Sequence, residues 1–131
     1  MDAATREFVR RRADSRCEYC GLSQQTASFV PFHIEHVVAR QHRGSDELDN
    51  LALACFHCNA HKGTNLTSID SESGQLVPLF HPRRDNWAEH FQVSGALIVG
   101  ITSTGRVTVE LLQMNAASRQ EIRKLSMNAG P

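Results

Sequence analysis

Cys17-Glu18-Tyr19-Cys20, then His33-Ile34-Glu35-His36, then Cys55-Phe56-His57-Cys58-Asn59 stand in that order in the first half of a 131-residue chain. How these three stretches are read decides the fold. Two Cys-x-x-Cys pairs, with residues 21–54 between them, have the spacing of two knuckles that close on one tetrahedral ion. Four thiolates fill a zinc coordination sphere completely, so a zinc ion on Cys17, Cys20, Cys55 and Cys58 is structural. It would staple two chain segments that share little core of their own. Between and just beyond the knuckles lies a small polar set: Glu35, His36, Asn50, Asn59 and Lys62.

Working outward, the length allows one domain, residues 1–131, because two independent cores would be cramped. At 40% hydrophobic and 21% charged, the composition is that of an ordinary globular protein. No apolar run approaches the roughly 20 residues that span a bilayer, and the Arg-rich start lacks a signal peptide's apolar region. The expectation is a cytoplasmic protein with no membrane partner. There its cysteines stay reduced, which favours metal ligation over disulfides. Net charge is zero, yet the basic residues are twelve Arg against two Lys. Arg forks match phosphate geometry. The runs Arg10-Arg11-Arg12 with Arg16, Arg40 with Arg43, His61-Lys62 and Arg83-Arg84 are candidates for lining one groove. Solvated faces are the plain alternative for each.

Residues 2–13 predict a helix capped by Asp2, and residues 27–30 and 32–38 predict two short strands broken by Pro31. Arg40 to Asn50 reads as a polar loop, and Phe56–Lys62 as a short helix stopped by Gly63. In the second half, residues 66–69 and 76–80 flank a hairpin signal. Residues 82–91 hold the single Trp and a helical turn. Residues 96–101 and 107–112 surround Ser103-Thr104-Gly105 as a second hairpin. Asn115 is placed to cap a last helix over 116–127, with Ile122 and Leu125 facing inward. His33, His81, His90, Trp87 and Phe91 read most simply as structural, and His57 and His61 lie on the short helix of the second knuckle.

The polar set has the chemistry of phosphodiester cleavage, which needs a base for water, a cation on the phosphate and a group to orient the base. His36 has the intrinsic pKa of a base. Glu35 and the Asn59 amide offer hard oxygens suited to Mg²⁺ or Mn²⁺. Asn50 can hold either the imidazole or the adjacent loop. In a regular strand Glu35 and His36 point to opposite faces. They can converge only at a strand end or bulge.

The knuckles, His33-Ile34-Glu35-His36, Asn50-Leu51-Ala52-Leu53-Ala54-Cys55 and Cys58-Asn59-Ala60-His61-Lys62-Gly63 together resemble the HNH endonucleases, the zinc-stapled branch of the ββα-metal nucleases. The resemblance covers residues 17–63. It implies an α+β protein whose ββα-metal core, 17–63, carries a C-terminal hairpin and helix extension, 64–131, packed on it. It also implies DNA as partner, His36 as general base and Asn50 as the residue that orients it. Glu35 and Asn59 become ligands of Mg²⁺ or Mn²⁺, and Arg40, Arg43, His61 and Lys62 candidates for DNA contacts. Glu35 stands where Asp is commoner in the family, Ala39 where Pro is frequent, and only Gly44 remains of a frequent Gly-Gly pair. The alternative is a zinc-stapled nucleic-acid-binding module that keeps the fold without cutting.

Overall fold

The computed structural model describes residues 1–128. Helix α1 (Ala3–Arg12) starts where Asp2 Oδ1 accepts the Thr5 amide at 2.8 Å, and it ends on three arginines. Only Val9 is buried on it. Strand β1 (Phe32–His36) pairs antiparallel with β2 (Leu51–Cys55), in a register that sets Glu35 against Ala52 and His36 against Leu51. Every residue of β2 is 0% exposed. Cys55 then caps helix α2 (Phe56–Lys62), its sulfur accepting the Cys58 amide, and Gly63 ends that helix at a φ of +54°. This strand–strand–helix unit is the ββα core, and the architecture is α+β.

The first knuckle lies on β2 almost as a third strand. The Glu18 amide donates to Leu53 O at 2.8 Å, and Glu18 Oε2 accepts the Leu53 amide at 2.8 Å. Arg83, from the second half of the chain, closes on the same Glu18 carboxylate. The strand expected at 27–30 does not form. Its amides bond locally, Ala27 to Ser23 O and Val30 to Ala27 O, and Phe29 is 70% exposed, so the stretch is a run of turns without a partner.

Beyond the core, β3 (Thr67–Ile69) pairs with β4 (Leu76–Pro78) across the expected turn. Helix α3 (Trp87–His90) leads into β5 (Phe91–Ser94), which pairs with β6 (Leu97–Gly100) around Gly95 at a φ of +60°. The hairpin expected around Ser103-Thr104-Gly105 is corrected: those residues open helix α4 (Ser103–Leu111), capped by Thr102 Oγ1 on the Gly105 amide at 3.0 Å. Gly105 serves there as a close-approach residue, since a Cβ on it would stand 2.0 Å from His90 O. Helix α5 (Ala117–Asn128) ends the described chain. Asn115 does not cap it. Its amide bonds both the N–H and the C=O of Ile98 on β6 (2.9 and 2.8 Å). Ile122 packs on the core as expected, but Leu125 is 63% exposed.

One cluster of buried side chains draws on both halves of the chain. Val9, Tyr19, Leu51 and Leu53 share it with Phe80, Phe91, Ile98, Leu112 and Met114. Trp87 Nε1 donates to Tyr19 O at 2.8 Å, and His57 Nε2 meets Gln113 O at 2.8 Å. Among the described residues, no helix is long and apolar enough to cross a membrane.

Candidate active site and metal centre

The four cysteines converge as their spacing implied. Their sulfurs all lie within 4.8 Å of one another, all four residues are buried, and Cys20 Sγ and Cys55 Sγ are 3.8 Å apart. Tetrahedral zinc with bonds of about 2.3 Å sets its thiolates about 3.8 Å from each other, so the cage has the size of a zinc site. Amides of Cys20 and Cys58 point at Cys17 Sγ and Cys55 Sγ, both at 3.5 Å, a geometry that favours thiolates. Burial pushes the Cys17 thiol well up, and crowding by the other three sulfurs does the same to Cys58. Without a cation among them the four sulfurs cannot all ionise at this separation.

The second site lies at the end of β1. Because His36 is the last residue of that strand, Glu35 and His36 escape strict alternation and both line one cleft of about 430 Å³. Asn59 of α2, the Gly63 that caps that helix, and Ala39, Arg40 and Gln41 of the loop following β1 line it as well. Glu35 is 6% exposed. Its Oε1 accepts the Tyr19 hydroxyl, and its Oε2 lies 3.5 Å from Lys62 Nζ. Burial raises the Glu35 carboxyl, and the Lys62 ammonium and Tyr19 hydroxyl pull it back only in part.

His36 Nε2 lies 2.7 Å from Asp46 Oδ1, which Arg40 also holds, from NH2 at 3.0 Å. The hydrogen bonds from His36 and Arg40 keep the Asp46 carboxyl below its ordinary value. An ionised carboxylate only accepts, so Nε2 donates to it, and in the neutral ring the lone pair is then on Nδ1. Asn50 works on the loop. Its Oδ1 accepts the Val38 amide at 2.9 Å, and its Nδ2 donates to Val38 O and Ser45 O at 2.9 and 2.8 Å. Those bonds fold the 38–45 segment back and so carry Asp46 to the imidazole. Asn59 is different from its relatives. Asn50, Asn65, Asn86 and Asn115 all bond backbone groups through their side chains, whereas the Asn59 amide makes no hydrogen bond among the described residues. A free amide oxygen beside a buried carboxylate fits a hard divalent cation better than zinc.

Lys62 is corrected as a DNA contact. It is 1% exposed, and its ammonium donates to Val37 O at 2.8 Å, so no phosphate can reach it. Arg12, half-buried, is engaged on Leu48 O and Leu51 O (2.9 and 2.7 Å), and Arg83 is held on Glu18. Arg40, Arg43 and His61 stay on the surface. His61 Nδ1 bonds His57 O, and the two ring centroids lie 4.1 Å apart at an interplanar angle of 34°. Two residues with evident work in the site were not foreseen. Asp46 lay among other acids of a polar loop, and Tyr19 carried no signal of its own between two cysteines. A larger hollow of about 730 Å³, bounded by Arg16, Trp87 and Arg123, lies elsewhere and contains none of Glu35, His36 and Asn59.

The HNH endonuclease family matches residues 17–65 of this chain. The chain is also similar to the H-N-H endonuclease F-TflIV of Escherichia phage T5, at 28% identity over 102 residues, which cover 75% of this chain and 43% of that protein. It therefore spans less than half the length of that relative. No solved structure matches it significantly. Residues 17–65 thus carry both the match to the HNH endonuclease family and the cysteine-closed ββα core, and it is in this segment that the chain is similar to that family.

Proposed function

We propose that the chain is a metal-dependent endonuclease that hydrolyses DNA phosphodiester bonds. One observation carries this reading: Glu35, His36 and Asn59 line a single cleft at the end of β1, with His36 already oriented by an ionised carboxylate. In this reading His36 Nδ1 takes a proton from the attacking water, while Asp46 holds the ring and steadies the imidazolium that forms. Asn50 fixes the loop that brings Asp46 there. Arg40, at the cleft's rim, and Arg43 and His61 on the exposed surface meet the DNA backbone. Glu35 and Asn59 hold Mg²⁺ or Mn²⁺, and that ion supplies positive charge against the charge that builds on the phosphate. A separate zinc ion sits on the four cysteines and holds the fold.

A specific observation favours a second reading, a nucleic-acid-binding module that does not cut. The Lys62 ammonium already stands 3.5 Å from Glu35, so the carboxylate has a resident cation. In the nuclease reading that fixed charge weakens the divalent ion rather than excluding it. Millimolar metal is then required.

The test is nicking of supercoiled plasmid by protein washed with EDTA. Elemental analysis is expected to find one zinc per chain surviving the wash. Nicking should be absent after the wash and should return with millimolar Mg²⁺ or Mn²⁺. Tight binding to the plasmid with no nicking under either metal would favour the second reading, and protein free of zinc would refute the thiolate site.

A further inference from the structure

Glu35 is more than an acid in a cleft. It is one end of a chain of contacts that begins in the second half of the sequence and passes through the zinc knuckle. Tyr19 stands between Cys17 and Cys20, and its residue is 0% exposed. Its hydroxyl donates to Glu35 Oε1. Its own backbone carbonyl accepts Trp87 Nε1–H at 2.8 Å, and its ring meets the edge of Phe80 at 6.4 Å. Lys62, at the end of α2, braces the other carboxylate oxygen and is itself anchored on Val37 O. The carboxylate is thus gripped on both oxygens by groups that cannot move without disturbing the knuckle or the core.

We propose that Tyr19 is a positioning residue for the divalent ion: the first zinc knuckle, braced by Trp87 and Phe80 of the C-terminal extension, presents its hydroxyl to Glu35 and fixes the orientation in which that carboxylate takes metal. This rests on the reading of Glu35 as a ligand. The physical reason is preorganisation. A glutamate has three side-chain torsions, and a buried one left to choose among rotamers binds an ion only from the right one. A hydroxyl donor on Oε1 selects that rotamer and leaves the oxygen's second lone pair free. The arrangement also gives the extension work to do at a site it does not line. Neither Trp87 nor Phe80 borders the Glu35 cleft.

Two measurements test this. The first is binding of free Mn²⁺, followed by electron paramagnetic resonance on zinc-replete protein, for the parent, Tyr19→Phe and Glu35→Ala. Loss of an outer partner of a metal ligand typically weakens metal binding about 10- to 100-fold. Tyr19→Phe is therefore expected to keep its zinc and lose Mn²⁺ affinity by that factor, with Glu35→Ala losing more. The second measurement needs no substitution at Tyr19. It is the sole tyrosine of the chain, so 3-fluorotyrosine labelling gives one ¹⁹F resonance. Titration with Mg²⁺ should shift that resonance in the parent and leave it still in Glu35→Ala. If the parent binds Mn²⁺ but Tyr19→Phe binds it equally well, or if Mg²⁺ binds without moving the ¹⁹F line, Tyr19 is structural only and the proposal is overturned. If Glu35→Ala binds Mn²⁺ as the parent does, the ligand assignment itself is wrong, which is a separate failure. Should Tyr19→Phe lose its zinc, the fluorine titration decides alone.

Discussion

At the scale of single residues, the geometry of the cleft hangs on a glycine with no unusual backbone. A Cβ on Gly44 would stand 1.7 Å from Val38 O and 2.9 Å from Asn50 Nδ2. Gly44 is therefore needed for room, where the Asn50 amide bonds the returning loop. Forcing a methyl group into so tight a contact costs about 1–3 kcal/mol, because the neighbours here are backbone and an engaged amide. Gly44→Ala should lower the denaturation midpoint accordingly and slow nicking as well, since Asp46 rides on the same loop. An unchanged midpoint would mean the loop is not clamped in solution. That Glu35, His36 and Asn59 share one cleft was legible in the sequence, because residue type and spacing single them out together. Asp46, Tyr19 and Lys62 were not. Asp46 has acidic neighbours at Glu47 and Asp49 that look the same in sequence, and only the fold brings one of the three to the imidazole. Lys62 follows His61 and read as half of a basic surface pair, yet the last turn of α2 points it into the core.

At the scale of elements, the front half was legible, the 27–30 segment apart, because most of its pieces carry a local signal. Asp2 caps α1, Cys55 caps α2, and Gly21 and Gly63 sit at positive φ where the chain turns. The second hairpin failed for an equally local reason. Val107, Thr108, Val109, Leu111 and Leu112 are strand-like in composition, and Gly105 before them resembles a turn glycine. Yet Thr102 caps a helix there, and Thr108 turns its hydroxyl back to Thr104 O at 2.7 Å while accepting the Phe80 amide. Tertiary contact decided the element, as it does for β-branched segments generally. The same helix is tied to the β3–β4 hairpin by Arg106, which meets both oxygens of the buried Asp70 at 3.0 and 2.9 Å. Arg106 and the Ser73 hydroxyl hold the Asp70 carboxyl well below the usual carboxylate range. A folded-state value below the unfolded one, about 3.9, means the stabilisation is fully present above that pH and drains away as pH falls toward the folded value. Asp70→Asn should therefore melt well below the parent at pH 7, and the gap between them should narrow in acid. A gap that stays constant from pH 7 to about pH 3 would show that the pair contributes no ionised-state stability.

At the scale of the whole molecule, the two halves share one buried cluster, and the contacts that brace the first knuckle come from far along the chain. No periodicity or motif announces Trp87 on Tyr19 or Arg83 on Glu18, because both bonds cross about 65 residues of sequence. Net charge told little of the surface for a similar reason. Lys62 is buried, and Arg12 and Arg83 are half-buried and engaged within the protein, so the cations left to meet DNA are fewer than the sequence count suggests. What the molecule keeps at the surface of the cleft is His36, and the account turns on it. Replacing His36 with Ala removes the proton acceptor while leaving the zinc cage, the Glu35–Asn59 pair and the exposed arginines in place. Loss of a general base costs about 10² to 10⁴ in rate. The decisive measurement follows nicking and DNA binding on the same plasmid, for the parent and His36→Ala, with melting temperature as the control for folding. The account predicts a variant that melts and binds as the parent does and nicks at least a hundredfold more slowly. A His36→Ala protein that melts normally and cuts at the parent's rate would contradict it.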